Sequence, residues 1–406
     1  MSRRFRQFDW ILLFSILGLI AAGMTLVYSA SQVPAYPWKA GLFTRQTMWL
    51  VIGLVALFTA AAVPFRFWEE YSHLIYGVAM VVLASVLVIG VEREGARRWL
   101  SFGGFQFQPS ELAKLATIML VARLLSRPRL DITKLSALLP VLFAALVPFV
   151  LILLEPDLGT SLSLPAALVG MVFWAGFPGV VILIVATPLL STLLSFKLWL
   201  WVPYLVLLLV FLRMIGVKRL LGGAIAVVNL AAGFAAPVLW GTLHPYQQQR
   251  VLTMLNPESD PTNSGYQVIQ SKIAIGSGGL AGKGFLEGTQ KGLAFLPEQH
   301  TDFIFSVLGE EFGFIGCVLV LCLFALLIQR SVRLATKARS RFGAYLVVGI
   351  ASMIMFHVAV NVSMTVGLAP VTGLPLPFLS YGGTFLLVTL IQSGLLLNVA
   401  FRRNEV

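Results

Sequence analysis

The 406-residue sequence predicts an all-α protein that crosses a membrane about ten to twelve times, and three observations carry that prediction. Hydrophobic residues make up 58% of the chain and charged residues 11%, against roughly 45–50% and about 25% in soluble domains. So few ionic groups cannot dress a water-facing surface. Apolar runs of about 20 residues, each enough to cross a hydrocarbon core about 30 Å thick, recur along nearly the whole length. The basic residues, finally, gather in the short segments between alternate runs, as they do in chains oriented by a bilayer.

The runs read in order as Trp10 to Ser29, Met48 to Pro64, Ser72 to Gly90, Ser110 to Ser126, Leu135 to Leu154 and Thr160 to Phe177. Three follow at Gly179 to Phe196, Leu198 to Arg213 and Leu220 to Trp240, and the last three at Asp302 to Gln329, Phe342 to Val366 and Gly383 to Phe401. The first is longer than the apolar core of a signal peptide and has no small-x-small site behind it, so it reads as a span and not a cleaved leader. Pro188 and Pro203 interrupt two of the middle three, which is tolerable only where neighbours satisfy the freed backbone. Cys317 and Cys322 share one run and fall on different faces of its helix, so they read as packing residues and build neither a disulfide framework nor a zinc site. The whole chain, 1–406, reads as one integral membrane domain, with residues 241–301 as a long loop inside it.

With both termini inside, the cytoplasmic face holds 18 basic and 5 acidic residues (+13), and the remaining 11 basic and 12 acidic residues (−1) complete the chain's net +12. The positive balance is therefore a topology signal with membrane lipids, anionic headgroups above all, as its partner, and no nucleic-acid surface is expected.

On the opposite, extracytoplasmic face four polar segments stand out, and this is where function is expected. The first holds Arg97, Arg98 and Trp99, followed by Ser110, Glu111 and Lys114. Ser110 reads as a helix N-cap. Glu111 and Lys114, three apart on one helical face, form either a functional pair or an ion pair that only stabilises packing. The second is the turn Glu155-Pro156-Asp157, whose two acids mark a cation site, an acid/base pair or a plain polar turn. The third is the loop 241–301 with His244-Pro245-Tyr246, Arg250, Lys272 and a cluster of glycines; loops that long are uncommon unless they work. Gly282-Lys283 is no phosphate loop, because Ser277 and Gly284 stand where glycine and a hydroxyl residue are needed, and no strand precedes it. The glycines read instead as flexible backbone that closes on substrate or lipid. The loop ends in Glu298, His300 and Asp302 at the mouth of an apolar run, where desolvation suits Asp302 to general-base work and a helix N-cap is the alternative role. The fourth, 371–383, contains Ser380 and is irregular between two spans, which implies a protein-lined cavity or re-entrant loop.

Gly-Ala-Arg-Arg-Trp with Gln-Pro-Ser-Glu at 95–111, Glu-Pro-Asp-Leu-Gly-Thr at 155–160 and Phe-Leu-Pro-Glu-x-His-Thr-Asp-Phe-Ile-Phe at 295–305 occur in this order along the chain. In them the sequence resembles, over nearly its whole length, the SEDS proteins of shape, elongation, division and sporulation. Asn256 to Pro261 and the spacing Gly288-Thr289-Gln290 look more like the RodA branch than the division branch FtsW. The resemblance implies a peptidoglycan glycosyltransferase of the bacterial cytoplasmic membrane that polymerises lipid II, the undecaprenyl-linked disaccharide, and works with a class B penicillin-binding protein in elongation and rod shape. It also implies that Asp302 is essential. The family has ten spans, whereas 179–240 here is long enough for three crossings where one is usual; the extra pair keeps the parity.

The mechanism expected from these residues uses Asp302 as general base, with Arg97, Arg98, Lys114, Arg250 and Lys272 as candidates to stabilise the departing pyrophosphate. No cofactor is evident, and a divalent cation (Mg or Mn) held partly by Asp157 is the one expected addition. The alternative from another class is a flippase or transporter for the same lipid-linked precursor, since Pro-broken apolar helices with a few buried ions are also found there. The absence of a visible inverted repeat, and polar chemistry gathered on one face, favour the enzyme.

Overall fold

The computed structural model describes residues 9–32, 39–93, 96–102, 105–128, 138–217, 219–242, 248–250, 252–253, 264–292, 296 and 298–402. Glu94 and Gly95, His244 to Tyr246, Asn256 to Pro261 and Phe295 lie outside them, as do Arg3, Arg4, Arg6, Arg129, Asp131, Lys134, Lys218, Arg403 and Glu405 from the charge balance.

Each of the twelve apolar runs folds as a helix. They are α1 (Trp10–Ser31), α2 (Ala40–Ala62), α3 (Phe65–Ile89), α4 (Pro109–Leu125), α5 (Leu139–Leu154), α6 (Leu158–Trp174), α7 (Gly179–Leu194), α8 (Leu198–Met214), α9 (Arg219–Thr242), α12 (Ile304–Lys337), α13 (Arg341–Thr365) and α14 (Gly383–Phe401). Six of these, α1, α2, α3, α12, α13 and α14, are long and apolar enough to cross a membrane by length and composition. The loop 241–301 has secondary structure of its own, with α10 (Ser264–Ser277) and the single turn α11 (Thr289–Gly292) among its described residues. Between α3 and α4 the chain forms a small antiparallel sheet of β1 (Val91–Arg93), β2 (Ala96–Phe102) and β3 (Phe105–Phe107), in the order β1-β2-β3.

Two compact units divide the chain: 1–175 with 250–406, and 176–249. The first is organised around α13, which packs against α4, α6 and α12, while α14 packs on α2 and α12 on α1. Outer helices such as α3 turn Val78, Val81 and Val88 to the surface, as lipid-facing helices do, and α13, α14 and α4 carry most of the core. The second unit comprises α7, α8 and α9 and is held by a polar network among apolar neighbours. Asn229 Nδ2 donates to Thr187 Oγ1 (3.0 Å), Tyr204 Oη to Thr187 O (2.8 Å), Trp201 Nε1 to Ser191 Oγ (2.7 Å), and Ser191 Oγ to Asn229 O (2.7 Å). Such bonds join helices in a medium where no hydrophobic force between them is available.

Helix α12 is broken. Gly313 takes φ 62° and ψ −162°, so the backbone groups on either side lose their helical partners. The glycine-rich stretch after α10 replaces them: Lys283 N donates to Glu310 O (3.0 Å), Gly284 N to Glu311 O (3.1 Å), Phe314 N to Gly279 O (2.9 Å) and Ile315 N to Leu280 O (3.1 Å). A Cβ on Gly282 would stand 2.1 Å from Glu311 O, so a side chain there would push the two backbones apart. For Gly278, whose added Cβ would stand 2.0 Å from Gly309 O, and for Gly282 this corrects the expectation that the glycines supply flexible backbone to close on a ligand: these two allow close backbone contact at the break, the condition for irregular chain at membrane depth.

Candidate active site

Asp302 comes just before α12, whose N-cap position is Phe303, a residue with no side-chain acceptor. Asp302 thus stands one residue before the cap position. Ser110 is likewise not the cap expected of it. Helix α4 starts at Pro109, whose fixed φ suits the first helical position, and Gln108 takes the cap position.

Four bonds hold the backbone around Asp302. Asn361 Nδ2 on α13 donates to Asp302 O (2.8 Å) and to Leu374 O (2.8 Å), Ser380 Oγ donates to Thr301 O (2.6 Å), and Tyr381 N donates to His300 O (2.8 Å). Ser380, which is buried, also accepts from Leu376 N (2.8 Å), so it fastens the irregular segment 371–382 to the loop that carries Asp302. Above this, a Cβ placed on Gly373 would lie 3.4 Å from Asp302 Oδ2 and 3.6 Å from Arg250 Nη1. The two atoms are thus at most 3.4 + 3.6 = 7.0 Å apart, and the carboxylate has a guanidinium for a neighbour across Gly373.

His300 and Glu298 are brought to the same loop with different fates. Burial and the nearby Lys39 cation lower His300 to about 4, so it is neutral at pH 7 and offers no positive charge to an anion. Glu298 is exposed, accepts from Thr301 Oγ1 (3.0 Å) and partly offsets the burial that lowers Lys39. Burial raises Tyr381 above the usual phenol range, with Arg45 opposing the shift. Lys272 is on α10 and lays its stem against Gly367, while its neighbour Ser271 contacts Ser306 Oγ (2.6 Å) and donates to Thr365 O (2.6 Å), tying α10 to α12 and α13.

The alternation of a β-strand separates the two arginines. Arg98 on β2 donates through Nε to Glu155 O (3.0 Å) and through Nη2 to Pro156 O, so it clamps the turn between α5 and α6. Arg97 faces the other way, half exposed and 3.7 Å from Glu92, an exposed pair worth little. Trp99 is partly buried on the same strand, opposite Val91.

In the clamped turn the two acids differ. Asp157 is the N-cap of α6, with Oδ1 accepting from Thr160 N (3.1 Å) and Oδ2 from Thr160 Oγ1 (2.8 Å). Glu155 is 1% exposed, neither of its carboxylate oxygens has a hydrogen-bond partner among the described residues, and burial next to Asp157 pushes it up to about 8. The α6 end fits closely under the irregular segment because Gly159 has no side chain: a Cβ there would lie 2.6 Å from Thr372 O. For a divalent cation this donor set is small, with Asp157 already capping a helix through both oxygens and no group of three His, Cys, Asp or Glu suited to a metal among the described residues. No step is assigned to a metal here.

Deeper in the unit, Lys114 Nζ is 2.9 Å from Glu111 Oε1, with side chains 1% and 5% exposed. The ammonium also lies 3.3 Å from His357 Nε2 and 5.8 Å from the centre of the Phe385 ring. His357 Nδ1 is 3.1 Å from Pro375 O, which can only accept, so Nδ1 carries the proton and Nε2 accepts from Lys114. The pair borders a cavity with room for little more than one water, lined also by Thr389 and Gln392. His357, Asn361, Lys39 and Glu310, which accepts from Lys283 Nζ (2.8 Å), were not singled out from sequence. The four-residue spacing of His357 and Asn361 on an apolar helix was the available signal.

Comparison with known proteins covers almost the whole chain. The model of the FtsW/RodA/SpoVE family, described as cell cycle proteins, matches residues 9–221 and 201–405. Peptidoglycan glycosyltransferase MrdB of Escherichia coli K12 is 37% identical over 400 residues, covering 97% of this chain and 94% of that protein. Stage V sporulation protein E of Bacillus subtilis is 37% identical over 398 residues, covering 97% and 96%. Among solved structures, a chain of a peptidoglycan synthase complex that coordinates polymerization and crosslinking aligns with TM-score 0.71 and 33% identity, covering 98% of this chain and 99% of that one. The rod shape determining protein RodA of Thermus thermophilus aligns with TM-score 0.65 and 29% identity, covering 98% of both. With a full-length family match and relatives above one-third identity, this chain belongs to the FtsW/RodA/SpoVE family of cell cycle proteins.

Proposed function

We propose that this protein is a peptidoglycan glycosyltransferase that polymerises lipid II at the outer face of the bacterial cytoplasmic membrane, in cell elongation and rod shape. The observation that carries the reading is Asp302: a carboxylate at the mouth of an apolar helix, its backbone fixed by Asn361, with the Arg250 guanidinium at most 7.0 Å away across Gly373. Asp302 accepts the proton of the acceptor GlcNAc 4-hydroxyl as that oxygen attacks the anomeric carbon of the donor MurNAc. The bond from that carbon to the pyrophosphate oxygen breaks with inversion, and undecaprenyl pyrophosphate leaves. Arg250 is the cation best placed to meet the leaving charge, and a positioned charge of that kind is worth roughly 10²–10³ in rate. Lys114 stands apart from this step, held by Glu111 and His357, and serves to shape the cavity. Arg98 holds the Glu155–Asp157 turn, and Arg97, half exposed beside Glu92, stays available as a further cation.

Both termini and the loop 330–341 are cytoplasmic in this reading, with 241–301 outside. A class B penicillin-binding protein is the partner, because the related complex couples polymerization with crosslinking. The transporter reading draws on the broken helix α12, but the backbone donors Phe314 N and Ile315 N at the break are already taken by Gly279 O and Leu280 O. Purified lipid II given to the reconstituted protein, alone and with its penicillin-binding partner, tests the proposal. Moenomycin-resistant glycan strands are expected, and no strands with a folded partner present would contradict it.

A further inference from the structure

Helix α13 carries two polar side chains four residues apart, His357 and Asn361, on a helix otherwise apolar through this stretch, and each reaches two other parts of the site. Four residues bring side chains onto one helical face. Asn361 is fully buried, and both of its partners are carbonyl oxygens, Asp302 O and Leu374 O, each at 2.8 Å. Carbonyls only accept, so the NH₂ end of the amide must be the end that meets them, and its two protons are both used. His357, 2% exposed, meets Pro375 O with Nδ1 (3.1 Å) and Lys114 Nζ with Nε2 (3.3 Å). Leu374 and Pro375 are consecutive. The two side chains therefore grip adjacent carbonyls of one irregular segment from adjacent turns of one helix, and their other contacts go to Asp302 and to Lys114.

We infer that His357 and Asn361 are positioning residues, which lock Asp302 and the Glu111–Lys114 pair into one frame through the Leu374-Pro375 backbone. The inference rests on the reading of Asp302 as general base. An irregular segment has no ladder of its own to fix it, so among the described residues 371–382 depends, besides these bonds, on packing, Ser380, Tyr381 and the Gln46 amide, which donates to Ser380 O (3.3 Å) and accepts from Gly382 N (3.2 Å). The Ser380, Tyr381 and Gln46 bonds hold its far end, away from Leu374 and Pro375. A displacement of Asp302 by about 1 Å is enough to cost on the order of 10²-fold in rate while substrate affinity, set elsewhere, stays.

The test uses Asn361→Asp, which keeps size and shape but turns a double donor into an acceptor facing two carbonyls, and Asn361→Gln, which keeps the amide and moves it by one methylene. In the reconstituted full-length protein with lipid II, both variants are expected to fold, to lose kcat by about 10²-fold and to keep KM within about threefold. On an Asp302→Asn background the Asn361 change is expected to add nothing further, since a positioning residue has nothing left to position. Folded Asn361→Asp or Asn361→Gln at the normal rate overturns the inference. So does a loss wholly explained by less folded protein, or one of equal size on the Asp302→Asn background. If Asn361→Asp does not fold, Asn361→Gln decides by the same criteria. Wild-type protein that makes no polymer sinks the glycosyltransferase reading itself. Active wild type, inactive Asp302→Asn and normal Asn361 variants sink the positioning inference alone.

Discussion

Replacing Lys114 with Met keeps the length and volume of the side chain while deleting its charge, and the structure sets the scale of the damage. Glu111 would be left 5% exposed without the ammonium now 2.9 Å away, and His357 Nε2 would lose its donor at 3.3 Å. Breaking a buried pair from one side costs about 3–5 kcal/mol, and the orphaned imidazole nitrogen adds about 1–3 kcal/mol where it finds no water. For a chain of 406 residues even the lower bound corresponds to a fall of about 3–4 °C in melting temperature. Thermal unfolding of the detergent-solubilised protein, followed by loss of the monomer peak in size-exclusion chromatography, reads this directly. The double change Glu111→Gln with Lys114→Met should recover most of the loss, because replacing both members of a buried pair is nearly neutral. A single Lys114→Met protein with unchanged melting, or a double variant no better than the single, would refute the reasoning.

Glu155 gives a pH dependence. Its folded-state value of about 8 lies above the ordinary carboxylate value, so the folded protein prefers the protonated acid; this stabilisation is complete below the unfolded value and is lost as pH rises through about 8. Stability should fall between pH 6 and about pH 8, by at most ~1.4 kcal/mol per pH unit, with the melting temperature following it and levelling off above, and Glu155→Gln should flatten that part of the curve; an unchanged slope in Glu155→Gln would show the carboxyl is not its source. Gly313→Ala forces a left-handed residue to carry a Cβ 2.3 Å from Gly282 N, so folded yield should drop sharply. Gly276→Ala, with open space around it, should not, and equal yields would dismiss the break as a constraint. In a chain with Cys317 and Cys322 replaced, a cysteine at Gln290 should label from outside intact cells and one at Arg333 should not; the reverse pattern would invert the topology.

The helices were legible because the signal is local: an apolar run long enough for a bilayer needs no partner to be read. The Glu111–Lys114 pair was legible for the same reason, as three residues set one face. Other features depend on pieces distant in sequence. The break at Gly313 exists because 279–284 supplies its bonds, and Ser380 matters through Thr301, 79 residues away. Arg97 and Arg98 look equivalent as letters, and only the strand geometry of β2 sends one to Glu155 and Pro156 and the other to the surface. His357 and Asn361 are single polar letters in an apolar helix, and their partners come from three other segments. Asp302 is legible by its place at a helix mouth, and the helix start falls two residues after it, at Ile304.

The isosteric change Asp302→Asn, measured as the rate of lipid II polymerisation by folded, reconstituted protein, is the most direct test. It keeps the size of the side chain and removes the proton acceptor. Asn and Asp cap helices about equally well, so the change leaves the helix start supported in either case. The rate should fall by roughly 10²- to 10⁴-fold, with lipid II binding and membrane insertion retained. A folded Asp302→Asn protein polymerising at near the wild-type rate would remove Asp302 from the chemistry and contradict the mechanism.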